Sequence, residues 1–208
     1  MKKLLITIIL LPLALVGPQI THAANGDHAE NDINQAYEYY NEGQFDMART
    51  MFKSAAKQKV NKKAQAQGIL GLGVLFSEGK VELKNGQPDY KKAAKYYRTA
   101  AEQTNDIRTR AKAAFNLAIM YEDGLIGTKQ NKPDYDQAAQ YYRTATEQNA
   151  HPHIRAEAAV NLGILLDQGL TGLRNKKPDY EQAGYFYDLA ANQNDNPEAQ
   201  ELAISLLP

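Results

Sequence analysis

The tripeptide Pro-Asp-Tyr stands at Pro88-Asp89-Tyr90, Pro133-Asp134-Tyr135 and Pro178-Asp179-Tyr180, an interval of 45 residues each time. A fixed interval of that size marks a chain built from stacked copies of one small unit, each too small to bury its apolar face alone. The same step aligns Gly79, Gly124 and Gly169, then Leu72, Leu117 and Leu162, then Ala66, Ala111 and Ala156. After each tripeptide it aligns Ala93, Ala138 and Ala183, Tyr97, Tyr142 and Tyr187, and Ala100, Ala145 and Ala190. One further step back reaches Phe45, Ala48, Phe52 and Ala55, a fourth and earlier copy.

Each copy holds two helical patterns. The second, as in Tyr90, Ala93, Tyr97 and Ala101, carries the apolar stripe of an amphipathic helix. Asp134 and Asp179 stand at its start with Gln137 and Gln182 three residues on, the spacing of a capping box, and Asp89 caps with Lys92 in place of the glutamine. The preceding proline forces an extended entry, and the tyrosine is the first expected core residue of the helix. The tripeptide is therefore structural punctuation rather than a catalytic aspartate. The first pattern is rich in alanine and closes on a glycine suited to a left-handed C-cap. Gly73, Ala118 and Gly163 within it permit close approach of helices.

Taken together, Ala-x-x-Asn-Leu-Gly-x-x-Leu-x-x-Gly, a loop, and Asp-Tyr-x-x-Ala-x-x-x-Tyr-x-x-Ala resemble the Sel1-like repeat, a relative of the tetratricopeptide repeat. The pattern is clearest from Ala113 to Ala145 and from Ala158 to Ala191. A further copy runs from Gly68 to Ala101, with Gly71 in place of the asparagine. The unit around Ala36, Tyr37, Gly43, Phe45 and Phe52 has almost no loop between its helices and resembles the ordinary tetratricopeptide form. The resemblance implies an all-α, right-handed α-solenoid of antiparallel helix pairs. It divides into a first repeat over 31–60, Sel1-like repeats over 61–104, 105–149 and 150–194, and a capping helix over 195–208. Eight residues separate each closing glycine from its proline, longer than the family usually has. These loops bring Leu83, Leu125, Ile126, Leu170 and Leu173 to one edge.

The chain opens Met1-Lys2-Lys3, continues without charge from Leu4 to Val16, and reaches small residues at Ala23-Ala24. That is the form of a secretory signal peptide over 1–23, since an apolar run of 13 residues falls short of the roughly 20 needed to span a bilayer. The expected mature chain, 24–208, is exported to the periplasm, where the lack of cysteine is no obstacle. Without Lys2 and Lys3 its formal charge is 22 − 24 = −2, which gives no sign of nucleic acid, and no later segment invites stable membrane insertion.

Chemistry-bearing motifs are scarce. His151 and His153 have a His-x-His spacing but lack a third ligand with a natural path to them, so no metal and no cofactor is expected. No nucleophile elbow, phosphate loop or zinc-protease motif occurs, and no enzymatic activity is expected. The basic sets Lys91, Lys92, Lys95, Arg98 and Lys57, Lys59, Lys62, Lys63 read as solvated faces. A second apolar row on the first-type helices is more informative. It consists of Leu70 and Val74, Phe115 and Ile119, and Val160 and Ile164, extended by Tyr37 and Tyr40 and fringed by Glu78, Glu122, Asp123 and Asp167. In the resembling repeats this row points to the concave surface. An exposed apolar strip with an acidic rim would form a protein-binding groove, whereas tight superhelical packing would bury it. The resemblance further implies a protein partner. The expected role is an immunity protein that neutralises a secreted antibacterial effector, with an envelope adaptor or scaffold as the alternative.

Overall fold

A computed structural model describes residues 28–103, 106–127, 130–147, 151–171 and 177–207. The expected signal peptide, Leu173 and parts of the second and third long loops lie outside them. Among the described residues the chain forms α1 (His28–Asn41), α2 (Phe45–Ala56), α3 (Lys62–Ser77), α4 (Tyr90–Gln103), α5 (Ile107–Glu122), α6 (Tyr135–Thr146), α7 (Pro152–Asp167), α8 (Tyr180–Ala191) and α9 (Pro197–Leu206). Every helix packs on the next, giving four pairs and a lone α9: the all-α solenoid that the repeat demands.

Successive first-type helices among α1, α3, α5, α7 and α9 also touch directly, while among the described residues no two second-type helices do. Helices that approach more closely on one side of a stack lie on the inner side of its curve. The small residues explain the approach within each pair: a Cβ on Gly73 would stand 2.6 Å from the Tyr97 ring, and one on Gly163 2.5 Å from the Tyr187 ring. The rings of Tyr97 and Tyr187 thus lie flush against the backbones of α3 and α7.

Local chemistry sets the boundaries. Asp89, Asp134 and Asp179 accept from the backbone N–H of Lys92, Gln137 and Gln182 at 3.0, 3.2 and 3.2 Å. The Gln182 amide also donates to the Asp179 carboxylate at 2.7 Å, and the Asp179 N–H that a capping box would give to the Gln182 side chain goes to the Leu166 carbonyl at 2.9 Å. At the other end of the first-type helices, Gly79, Gly124 and Gly169 take φ of 64°, 67° and 63°. The N–H of the following residue then closes on the carbonyl five residues back, from Lys80 to Leu75, Leu125 to Met120 and Leu170 to Leu165.

One punctuation residue departs from expectation. Tyr90 and Tyr135 are half-buried against the core, but Tyr180 is 70 % exposed. Of the long-loop residues, Leu83 is exposed, Leu125 and Leu170 are half-buried, and Ile126 is buried. The first loop is tied down by Glu82, which pairs with Arg49 of α2 and with Lys92 of α4.

Candidate functional site

The second apolar row is interior, which corrects the expectation that it lines an open groove. Leu70, Val74, Phe115, Ile119, Val160 and Ile164 are all buried, as is Tyr37. The cause is the direct contact between successive first-type helices, which closes the strip between them. Second-type rings fill what remains: Phe115 lies 5.8 Å from the Tyr142 ring, and Tyr37 packs edge-on against Phe52 at 5.3 Å. As placed, these residues cannot serve as exposed anchors. Tyr40 is half-buried and turned to a polar task, donating its hydroxyl to Glu78 at 2.5 Å.

What reaches the surface is the acidic rim. Glu78, Glu122, Asp123 and Asp167 are all partly exposed, at or just beyond the C-terminal ends of α3, α5 and α7. A helix C-terminus carries partial negative charge and disfavours a carboxylate. Burial lifts the Glu122 carboxyl, partly offset by its bond from Tyr142, and burial alone pushes Asp123 up to about 6. No described residue pairs with the Asp123 carboxylate. Desolvated carboxylates at the negative end of a helix are stabilised by an incoming cation.

A polar ladder that motif reading missed holds this rim. Ser77, Glu122 and Asp167 are spaced by 45 residues, and so are Tyr97, Tyr142 and Tyr187. Tyr97 and Ser77 share a hydrogen bond of 2.8 Å. Tyr142, fully buried, donates to Glu122 at 2.5 Å and accepts from the Asn161 amide of the next repeat at 3.3 Å. Tyr187 is raised by burial and by the charge of Asp167, but its buried hydroxyl has no hydrogen-bond partner among the described residues. The shared interval was the signal by which these polar positions could have been found.

A second set links repeats on the outer side. Arg98 of α4 donates to the Tyr121 hydroxyl at 2.9 Å, where Tyr121 stacks on Tyr141 at 5.7 Å. Arg143 of α6 lies over Phe186 at 5.9 Å and donates to Gln182 at 3.1 Å. Within one repeat, Lys92 covers Phe76 at 4.4 Å. The basic set on α4 is therefore not merely a solvated face: Lys91 and Lys95 are exposed, while Lys92 and Arg98 fasten neighbouring elements. Lys57, Lys59, Lys62 and Lys63 are exposed.

The two histidines begin α7. His151 stands at its N-cap without a capping bond. Its pKa is lowered to about 4, chiefly by burial and then by the cations Lys112 and Arg108. His153 pairs with Glu157 at 3.3 Å, and Asn196 donates to the same carboxylate oxygen at 3.3 Å. Among the described residues no group of His, Cys, Asp or Glu is placed to hold a metal ion, and no helix is long and apolar enough to cross a membrane.

The Sel1 repeat family model matches residues 22–43, 64–105, 111–149 and 156–195. No curated protein matches the chain.

Proposed function

The chain belongs to the Sel1 repeat family, whose repeats are protein–protein interaction modules, and from that premise we propose that it is an exported, non-catalytic binder of a protein partner. Its specific role is that of a periplasmic immunity protein, which neutralises a secreted antibacterial effector by holding it. The observation that carries the binding mode is the desolvated carboxylate pair at the end of α5, Glu122 and Asp123, with the Asp123 carboxyl raised to about 6. Such a pair gains most from a lysine or arginine side chain delivered by a partner, because the cation restores the charge stabilisation that burial removed. The ladder from Tyr142 to Glu122 and Asn161 fixes the Glu122 carboxylate in advance, which lowers the ordering cost of the complex.

The test is co-purification of the mature chain with a candidate effector, read with the effector's own activity. A stoichiometric complex that silences the effector, weakened about tenfold by Glu122→Gln with Asp123→Asn, supports the reading. Capture by a multi-protein envelope assembly, with no effect on any effector, would replace it with an adaptor role. Export is checked by mass spectrometry of periplasmic protein, where an N-terminus at or next to Ala24 is expected.

A further inference from the structure

After Lys177 the sequence has no lysine, arginine or histidine, against the acids Asp179, Glu181, Asp188, Asp195, Glu198 and Glu201. Asp179 is a buried cap, and the other five are exposed. The same stretch carries four of the large hydrophobic side chains that stand exposed among the described residues: Tyr180 at 70 %, Tyr185 at 63 %, Leu202 at 39 % and Ile204 at 56 %. At helical spacing Glu181, Tyr185 and Asp188 share one face of α8, and Glu198, Glu201 and Leu202 share one face of α9, with Ile204 on another. Acid and apolar groups are therefore interleaved on each helix.

The interior of the solenoid shows what such positions do when covered. Ile204 aligns with Ala114 and Ala159, both fully buried; Ala159 lies one turn before Gly163, whose backbone meets the Tyr187 ring of the second-type helix that follows. Among the described residues no helix follows α9. Asp188 aligns with Arg98 and Arg143, which reach forward to the next repeat, so at this position the sign of the forward-reaching group is reversed. Leu206 aligns with Asn161, so the buried Tyr187 hydroxyl lacks the amide that Tyr142 receives. An occupant must therefore bring apolar groups and cations.

We propose that the α8–α9 end of the solenoid is a docking surface for a basic amphipathic helix of a partner protein. Its apolar stripe lies over Ile204, and its lysines or arginines meet Asp188 and Glu201, the latter one turn from Ile204 on α9. This is helix-in-groove recognition with electrostatic selection of the partner's sign. The surface is separate from the Glu122–Asp123 rim, so the inference needs the chain to be a protein binder but not the rim to be its site.

The experiment uses the full mature chain, which lacks tryptophan, and an amphipathic leucine/lysine peptide carrying a single tryptophan as the fluorescent probe. A leucine/glutamate peptide of the same length is the counter-probe. The leucine/lysine peptide should bind and weaken as salt rises. Asp188→Lys and Ile204→Ser should each weaken it about tenfold, with Glu102→Lys on α4 as an exposed control that leaves it unchanged. Equal binding of both peptides, native affinity in both α8–α9 variants, or weakening by the control alone would overturn the proposal. So would sedimentation showing that the chain alone covers this surface with a second copy, a dimer lost in Ile204→Ser. All three substitutions fall at exposed positions, and melting curves matching the native chain verify that they fold. If peptide binding fails while Glu122→Gln with Asp123→Asn still weakens effector inhibition, this inference falls and the proposed function stands.

Discussion

The hydroxyl of Tyr142 donates to the carboxylate of Glu122 across 2.5 Å, joining α6 to α5 at the point where the acidic rim meets the core. One repeat later, Tyr187 is placed alike beside Asp167, but its hydroxyl makes no hydrogen bond among the described residues. Two tyrosines in equivalent positions thus differ in whether burial of the hydroxyl is compensated.

Tyr142→Phe should therefore destabilise the chain by about 1–3 kcal/mol, because it strands a partly buried carboxylate and the Asn161 amide. Tyr187→Phe removes a hydroxyl that satisfies nothing, and the expected change is within about 0.5 kcal/mol or stabilising. Chemical denaturation of both variants checks the contrast, and equal losses would show that the ladder contributes no more than ring packing.

The pH dependence of Asp123 follows from its burial. Its pKa rises from the ordinary 3.8 to about 6, so between those values the folded chain holds a proton that the unfolded chain has released. The stability linked to this group is full below about 3.8 and is lost as pH rises to about 6. Asp123→Asn should raise Tm at pH 7, with the gain over the native chain shrinking to nothing near pH 4. His151, lowered to about 4, works in the opposite sense: its contribution is lost as pH falls below 6.5. The informative quantity is consequently the Tm difference between variant and native chain at each pH, and a gap independent of pH would refute the burial argument.

Phe115 and Ile119, both interior, should not tolerate polar replacement. The double change Phe115→Ser with Ile119→Ser should cost several kcal/mol through cavity formation and polar burial, and the protein should melt far lower or fail to accumulate. Soluble yield and melting temperature are the measurements. A variant that folds with native Tm would place these side chains on a free surface after all.

Much of the fold was legible because its determinants are local and periodic. Asp134 three residues before Gln137, Gly124 after the α5 stripe, and Gly163 as a point of close helix approach can each be read from spacing and residue type alone. The openness of the groove was not legible. Periodicity says that Val74, Ile119 and Ile164 are apolar and on one face, but how near the next first-type helix comes depends on superhelical geometry that spacing does not encode. Tyr180 escaped for a related reason: its sequence environment matches that of Tyr90 and Tyr135, while its neighbours in space do not. Lys92 and Arg98 were read as solvated because charge hides the aliphatic and planar surfaces by which they cover Phe76 and reach Tyr121.

The forward reach of Arg98 and Arg143 bears on how chains of this kind can change length. Excision of 45 residues in phase, 105–149, would bring Arg98 against Gln182 and Phe186, the pair that Arg143 already uses. The same cut would set Asn161 beside Tyr97 in place of Tyr142. Each junction then finds a counterpart of the same kind one unit on. Unequal recombination can therefore add or remove whole units, and with them lengthen or shorten the surface offered to a partner, without new joints having to arise.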